Sequence, residues 1–576
     1  MAVFFIVILS CLVFTDVSCQ TFQGTVSIKA RWKLLFIGAV EFDVDQRLSD
    51  GWTIYMNFTD PIDNFQIWDA ELISCDESKR HYVFGNKPFN VDLPAGSKLH
   101  VVIMGNANRS TNLEASAILT QEPPPVAIGE LESDLANHTT YDYAKAMQLA
   151  NLFYEIQRSG RLPTVRNIPW RYDSALYDMS EHGEDLTGGY YDAGDHLKFS
   201  LTIAFAMGLL SWGYIEFPDA YESHGMTDKL MTTIRWGTDY LMKCHTEKDE
   251  FIYQVGNAGL DHGYWGRPED MTMERPAYFI TSNAGEEGTE PTVGSAAALA
   301  AAAVAFKDHD PVYSITMIAH ARELYDLGNK YRANYQNNGY YKSSAYGDEL
   351  CYSAVWLYKA TGEERYLDDA KQHYEEFGLA GRGYSFSWGD ARPACQLLLY
   401  LETGDISYYE HFTSFLDKWL PGGGIPYTEK GLVFRESWGS LRYAGGVSFL
   451  ALVAANEGIR ANAYRRFARS QIGYILGDTG RSFLIGFGKN YPQRPHHRSS
   501  SCPEPPELCT YAALRNPGPN PHICYGAMVG GPTDLKDTYD DDRQNYYENE
   551  VTLDYNAGLL SSLAGLEHLK LTGNLE

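Results

Sequence analysis

The sequence predicts two domains of opposite class: an N-terminal all-β sandwich and a larger all-α domain built as a double ring of helices, an (α/α)6 barrel. Three observations carry this. Residues 20–119 contain short alternating or apolar runs bounded by Gly, Asp, Asn and Pro, the rhythm of a small sandwich. Residues 121–125 read Gln-Glu-Pro-Pro-Pro and lead into a polar stretch to Thr140; consecutive prolines stiffen a chain into an extended spacer. From Tyr141 onward apolar residues recur at helical spacing in twelve segments.

In order, residues 1–19 read as a secretory signal. Ala2–Phe14 is an apolar run too short to span a bilayer as a helix, and Val17-Ser18-Cys19 suits cleavage before Gln20, although no Lys or Arg precedes the run. A secreted, extracellular protein is expected. In the sandwich, residues 20–119, the clearest strand signals are Val40–Val44, Trp52–Met56 and His100–Met104, with Trp52 facing the core. Residues 120–140 are the linker. The helical domain, 141–576, has its segments at 143–158, 197–217, 227–244, 292–306, 313–331, 348–361, 363–377, 392–403, 406–419, 443–457, 462–476 and 555–571. The loops between them are rich in Gly, Pro, Asp and aromatics. No fixed repeat length appears, although periodicity alone leaves a solenoid open. Ala296–Phe306, alanine-rich and short, is expected to be a packed helix and not a membrane span.

Composition narrows the partners. A formal charge of −27 over 576 residues argues against nucleic acid and anionic membrane, which demand basic surface. A neutral polymer is indifferent to it. The 41 tyrosines and 11 tryptophans favour a carbohydrate, whose apolar faces stack on rings. Beyond the signal seven cysteines remain, an odd number, with no zinc-type spacing. Cys502 and Cys509 make the best local pair. Asn57, Asn108 and Asn137 head glycosylation sequons.

Two acidic loops carry the chemistry. Residues 539–556 crowd six carboxylates and four tyrosines around Arg543. Crowded acids repel, so at least one should retain its proton, which general-acid cleavage of an ether-like bond requires. A solvated loop capping a helix is the bland reading. In Gly188–Phe199, glycines at 188, 189 and 194 permit a tight turn that sets Asp192 and Asp195 three residues apart. Either could cap the following helix, or the pair could hold and deprotonate a water.

These residues carry a resemblance. Tyr191-Asp192-Ala193-Gly194-Asp195-His196, Phe487–Arg498 and Asn549–Ala557, together with Phe153–Pro163 and Trp438–Tyr443, resemble the signature regions of family 9 of the glycoside hydrolases, in the family's order. That resemblance implies the (α/α)6 barrel and an inverting endo-β-1,4-glucanase acting on cellulose. It implies Asp195 as general base, Asp192 as holder of the attacking water, Glu550 as general acid and His496 beside them. It implies contacts to the sugar from His262, Trp265, Tyr340, Trp388, Trp438, Arg442, Arg498 and Tyr555. Taken alone, Trp265 and Trp438 would read as core. Ser343 stands where some members carry tryptophan. Ser344–Leu350 resembles the family's calcium loop, with Ser344, Asp348 and Glu349 as ligands, though the same residues suit an N-capped helix start. Gly389 stands where some members place another acidic ligand.

Residues 20–119 resemble a family 2 carbohydrate-binding module, with Trp32, Trp68 and Phe89 as its stacking strip. No cofactor is expected to be required, and a structural calcium is left open between the two readings of Ser344–Leu350. The expected partner is β-1,4-glucan, bound by a monomer. A processive or end-acting glucanase and a catalytically silent glycan-binding protein are the competing readings.

Overall fold

The computed structural model describes residues 21–32, 35–48, 52–67, 70–75, 78–86, 93–107, 113–120, 141–335, 340–342 and 345–575. The chain forms two units, one built on the β elements and one on the helices. The expected signal, the expected linker, Asn108, Asn137, Trp68, Phe89, Ser343 and Ser344 lie outside the described residues.

The β unit has strands β1 (Thr21–Trp32), β2 (Leu35–Val44), β3 (Thr53–Phe58), β4 (Ile62–Ile67), β5 (Glu71–Cys75), β6 (His81–Gly85), β7 (Ser97–Ala107) and β8 (Ala115–Thr120). Their order is β4-β7-β2-β1-β8-β3-β6-β5. Strand β1 belongs to both halves: residues 21–24 pair with β8, and residues from Thr25 on pair with β2. Side chains alternate along β7, whose odd-numbered positions from Leu99 to Ala107 are buried, as a half-buried strand requires. The core joins Phe36, Phe42, Trp52, Ile54, Phe84, Ile103 and Leu119, and Phe36 of one half meets Phe58 of the other at 6.1 Å. Trp52 is core, as expected. Of Trp32 only the backbone place at the end of β1 is described.

The helical unit contains twelve helices of eleven residues or more among the described residues: α1 (Tyr143–Gln157), α2 (Ser200–Glu216), α3 (Thr227–Cys244), α4 (Thr289–Phe306), α5 (Pro311–Lys330), α6 (Gly347–Thr361), α7 (Glu364–Glu376), α8 (Arg392–Thr403), α9 (Ile406–Leu416), α10 (Ser440–Asn456), α11 (Ala461–Leu476) and α12 (Leu553–Leu571). Packing runs α8, α6, α4, α2, α12, α10 through the inner helices. Each inner helix carries an outer one: α3 on α2, α5 on α4, α7 on α6, α9 on α8, α11 on α10 and α1 on α12. The sequence explains the division. Helices α2, α4, α10 and α12 are apolar or small on every side and buried on nearly all of them. Helices α3, α7 and α11 bury one stripe only, as outer helices do.

Small residues let the inner ring close tightly. A Cβ added to Gly558 of α12 would stand 2.8 Å from the backbone nitrogen of Gly446 in α10. Fully buried Trp212 of α2 meets Trp356 of α6 at 5.6 Å and Phe449 of α10 at 5.2 Å, both edge-on. Helix α4 is longer than the alanine run suggested and is apolar and long enough to cross a membrane, but 89% of it is buried inside this unit.

Two disulfides are present among the described residues. Cys502–Cys509 is the expected local pair, and Cys351–Cys395 ties α6 to α8. The second joins residues 44 apart, a separation that leaves no local signal. Cys244 and Cys524 are buried thiols.

Candidate active site

Three stretches far apart in sequence are stitched together at one mouth of the barrel. The turn before α2 brings Gly194 so close to the loop after α11 that an added Cβ would lie 1.9 Å from the His496 carbonyl oxygen. No residue with a side chain fits there. The Arg498 N–H donates to the Gly194 carbonyl at 3.0 Å, the His496 N–H to that of Asn549 at 2.8 Å, and the Leu553 N–H to that of Asp192 at 3.1 Å. Backbone hydrogen bonds of this kind fix the relative positions of Asp192, Asp195, His496 and Glu550 without spending their side chains.

The carboxylates differ in environment. Asp192 is 2% exposed; Tyr341 and Thr202 donate their hydroxyls to its two oxygens. Burial, reinforced by the charge of Asp195, raises its pKa well above the ordinary range. Asp195 receives the Leu197 N–H at 3.3 Å, and its other oxygen lies 3.8 Å from His262 Nε2. Burial and then Asp261 push Asp195 up to about 6, with Arg498 and His262 opposing. Burial pushes Glu550 to about 7; the Trp438 indole N–H, donated to Oε2 at 2.8 Å, works against this, and Asp195 and Asp554 add to it. Near neutrality the more acidic group can therefore take a proton while the less acidic one still holds one.

These groups face one cavity of about 600 Å³. His262, Tyr340, Trp388, Trp438, Arg442, His496 and Tyr555 line it, all expected from the sequence. His262 stacks on Tyr340 at 5.0 Å, and Arg442 is pinned by Asp554 and the Tyr443 hydroxyl. His496 donates Nδ1–H to the Arg543 carbonyl at 2.6 Å, and burial lowers its pKa to about 4, so its Nε2 is an acceptor.

Trp265 and Arg498 stand elsewhere than the reading of them as sugar contacts would put them. Each is 4% exposed, and neither lines the cavity. Trp265 packs edge-on against His496 at 5.2 Å and donates to Ser501 at 3.0 Å. Arg498 pairs with Asp261 and lies over the Trp265 ring. They form the wall behind His496.

Tyr341, Glu436, Tyr443 and Tyr546 line the cavity without having been singled out. The doublet Tyr340-Tyr341 is the signal the sequence offers for Tyr341, since both members reach the cavity.

The crowded acids of 539–556 are sorted by the fold. Arg543, 1% exposed, makes no ion pair among the described residues; it donates to the carbonyls of Ala513, Asn516 and Gly518 and to the Asn520 amide oxygen. Asp541 accepts the N–H groups of Gln493 and Arg494, and Glu548 accepts from Thr533 at 2.8 Å. Asp554 sits in the first turn of α12, which Thr552 caps. Glu550 and Asp554 alone among the six line the cavity.

The calcium question turns on the start of α6. Asp348 is not the cap: Tyr346 stands there, and Asp348 joins Glu349 in the first turn, where the helix-start reading puts Glu349. They are 3% and 5% exposed, and neither Glu349 oxygen has a hydrogen-bond partner. The further acid is Asp390, one residue beyond Gly389, pushed to about 7 by burial and then by Asp348. Three buried acids, one with both oxygens orphaned, fit a hard divalent cation. Among the described residues the acids and histidines whose ligand atoms all lie within 4.8 Å of one another are instead Asp195, Asp261 and His262, but Arg498 already occupies Asp261.

A ring of paired helices whose mouth holds carboxylates of staggered acidity in an aromatic-walled cleft defines a glycoside hydrolase. Residues 143–563 match the model of glycosyl hydrolase family 9, and the chain belongs to that family. It is 41% identical over 465 residues to endoglucanase B of Cellulomonas fimi, covering 77% of this chain and 44% of that protein's length; it therefore spans less than half of that relative. Among solved structures it resembles the endoglucanase of the termite Nasutitermes takasagoensis, with 45% identity, a TM-score of 0.73, and coverage of 75% of this chain and 100% of that one. It also resembles the cellulase Cel9M of C. cellulolyticum in complex with cellobiose: 32% identity, TM-score 0.71, coverage 76% and 100%.

Proposed function

We propose that this protein is a secreted endo-β-1,4-glucanase that hydrolyses internal bonds of cellulose and related β-glucans by single displacement. The observation that carries the reading is the pairing of Glu550, held at about 7, with Asp195, at about 6, in one aromatic-walled cavity. Asp195 takes a proton from a water that Asp192 helps hold, as that water attacks the anomeric carbon. Glu550 gives its proton to the departing glycosidic oxygen, so charge never accumulates on the leaving group. The rings of Tyr340, Trp388 and Trp438 offer faces to successive sugars, and Arg442 and His496 offer polar contacts. Both acid and base are present, which tells against a silent glycan-binding protein.

Asp348, Glu349 and Asp390 would hold a structural calcium, with Ser344 as a further ligand, and the ion would neutralise their buried charge without entering the reaction. The β unit would bind glycan, the protein acting as a monomer. Two disulfides suit an oxidising, extracellular setting. Proton NMR of the first products from cello-oligosaccharides tests the mechanism: the α-anomer is expected, and a β-anomer would refute single displacement.

A further inference from the structure

A second cavity of about 400 Å³ lies in the helical unit, lined by Arg382, Tyr384, Lys418, Trp419, Ile425 and Arg435 among others. Its chemistry is unlike the rest of this acidic chain. Other cations of the helical unit are neutralised: Arg322, Arg332, Lys359, Arg365 and Arg460 each pair with a carboxylate. Arg382, Lys418 and Arg435 have no ion pair among the described residues. Arg382 donates to the neutral Ser414 hydroxyl at 2.8 Å. Arg435 lies flat on the Tyr384 ring at 3.6 Å, and its buried Nε has no hydrogen-bond partner. Stacking of that kind holds a guanidinium in one plane and leaves its edge for an incoming acceptor.

This cavity shares a wall with the catalytic one. Tyr384 lines the second cavity and donates its hydroxyl to Glu436, which lines the first. Arg435 and Glu436 are consecutive, so their Cα atoms lie about 3.8 Å apart, and the two cavities abut.

We propose that the second cavity is an anion subsite that takes a carboxylate carried by the glycan, such as a uronate or carboxyl-substituted sugar, next to the stretch of β-glucan in the cleft. A guanidinium and an ammonium converging without acidic partners bind a carboxylate by charge-assisted hydrogen bonds, Arg435 in forked fashion. A protein of net charge −27 repels acidic polymers at long range, and three unpaired cations reverse that sign locally.

The proposal rests on the glucanase reading, which hydrolysis of neutral hydroxyethylcellulose tests separately. Its own test reads binding alone, in full-length protein carrying Glu550→Gln so that no polymer is cut. Affinity electrophoresis in gels containing carboxymethylcellulose or hydroxyethylcellulose, each referred to a polymer-free gel, compares R382Q/K418Q with K229Q/K307Q. The second pair makes the same change in net charge at exposed lysines outside the cavity. R382Q/K418Q is expected to weaken binding to the carboxylated polymer about threefold to tenfold at low ionic strength, and to leave the neutral polymer unchanged. An equal loss on both polymers, no loss on either, or the same loss in K229Q/K307Q would overturn it.

Discussion

The indole N–H of Trp438 donates to Oε2 of Glu550 at 2.8 Å, and the same ring packs on Tyr546 and Tyr547 at 5.3 and 4.7 Å. One tryptophan thus combines a stacking face with a tuning contact, because a hydrogen bond to a carboxylate favours its ionised form. Trp438→Phe keeps a ring and removes the donor. The pKa of Glu550 should then rise from about 7, moving the basic limb of the kcat profile to higher pH. An unshifted limb in the variant would remove Trp438 from control of the acid.

The wild-type profile of kcat/KM should itself be bell-shaped and narrow. Activity is gained as Asp195 ionises near about 6 and lost as Glu550 deprotonates near about 7. Glu550→Gln should cost at least about 10²-fold in kcat and abolish the basic limb, while adsorption to glycan through the β unit stays unchanged. Retained turnover would take Glu550 out of the role.

Tyr341 holds Asp192 from a point 149 residues later in the chain. Tyr341→Phe deletes one of two hydroxyl donors to a buried carboxylate. Leaving a buried acceptor without one of its donors costs about 1–3 kcal/mol, so kcat should fall roughly fivefold to a hundredfold. KM should change little. Loss confined to KM would make Tyr341 a sugar contact instead.

Cation removal should make stability depend on pH. Asp390 has a folded pKa of about 7, above its unfolded value near about 4; Glu349 is shifted in the same direction by burial and Asp348. Groups raised in this way favour the folded state below the unfolded pKa, and that contribution is lost as pH rises through the folded value. Chelator-treated protein should therefore lose Tm between about pH 4 and 7, and added calcium should restore it. Identical Tm curves with and without chelator would sink the calcium reading.

The twelve helices were legible because each is a run of helical periodicity, most of them closed by Gly, Pro or Asp within a residue or two, and because inner and outer helices differ in how far round the apolar residues extend. Asp192 and Asp195 stood out as paired acids in a glycine turn, whereas Glu550 was one of six carboxylates that only the family resemblance singles out. What was hidden depends on approach in space. Arg543 sits among acids in sequence, yet it binds carbonyl groups that no side-chain pattern reveals. Asp390 ends up beside Asp348 because α6 and α8 are neighbours, an adjacency that the Cys351–Cys395 bridge marks only once both helices are folded. Trp265 and Arg498 carry the right chemistry for the cleft but are turned into its wall.

The contact of Gly194 with the His496 carbonyl has a temporal side. The base loop takes shape against residues some 300 positions later, and α1 packs on α12, the last of the described helices. A polypeptide still emerging from synthesis, or one cut before α12, holds Asp192 and Asp195 without the partners that orient them. The hydrolytic competence proposed above is therefore expected only once the segments around His496 and Leu553 have folded onto the base loop, and removal of those segments is expected to abolish it.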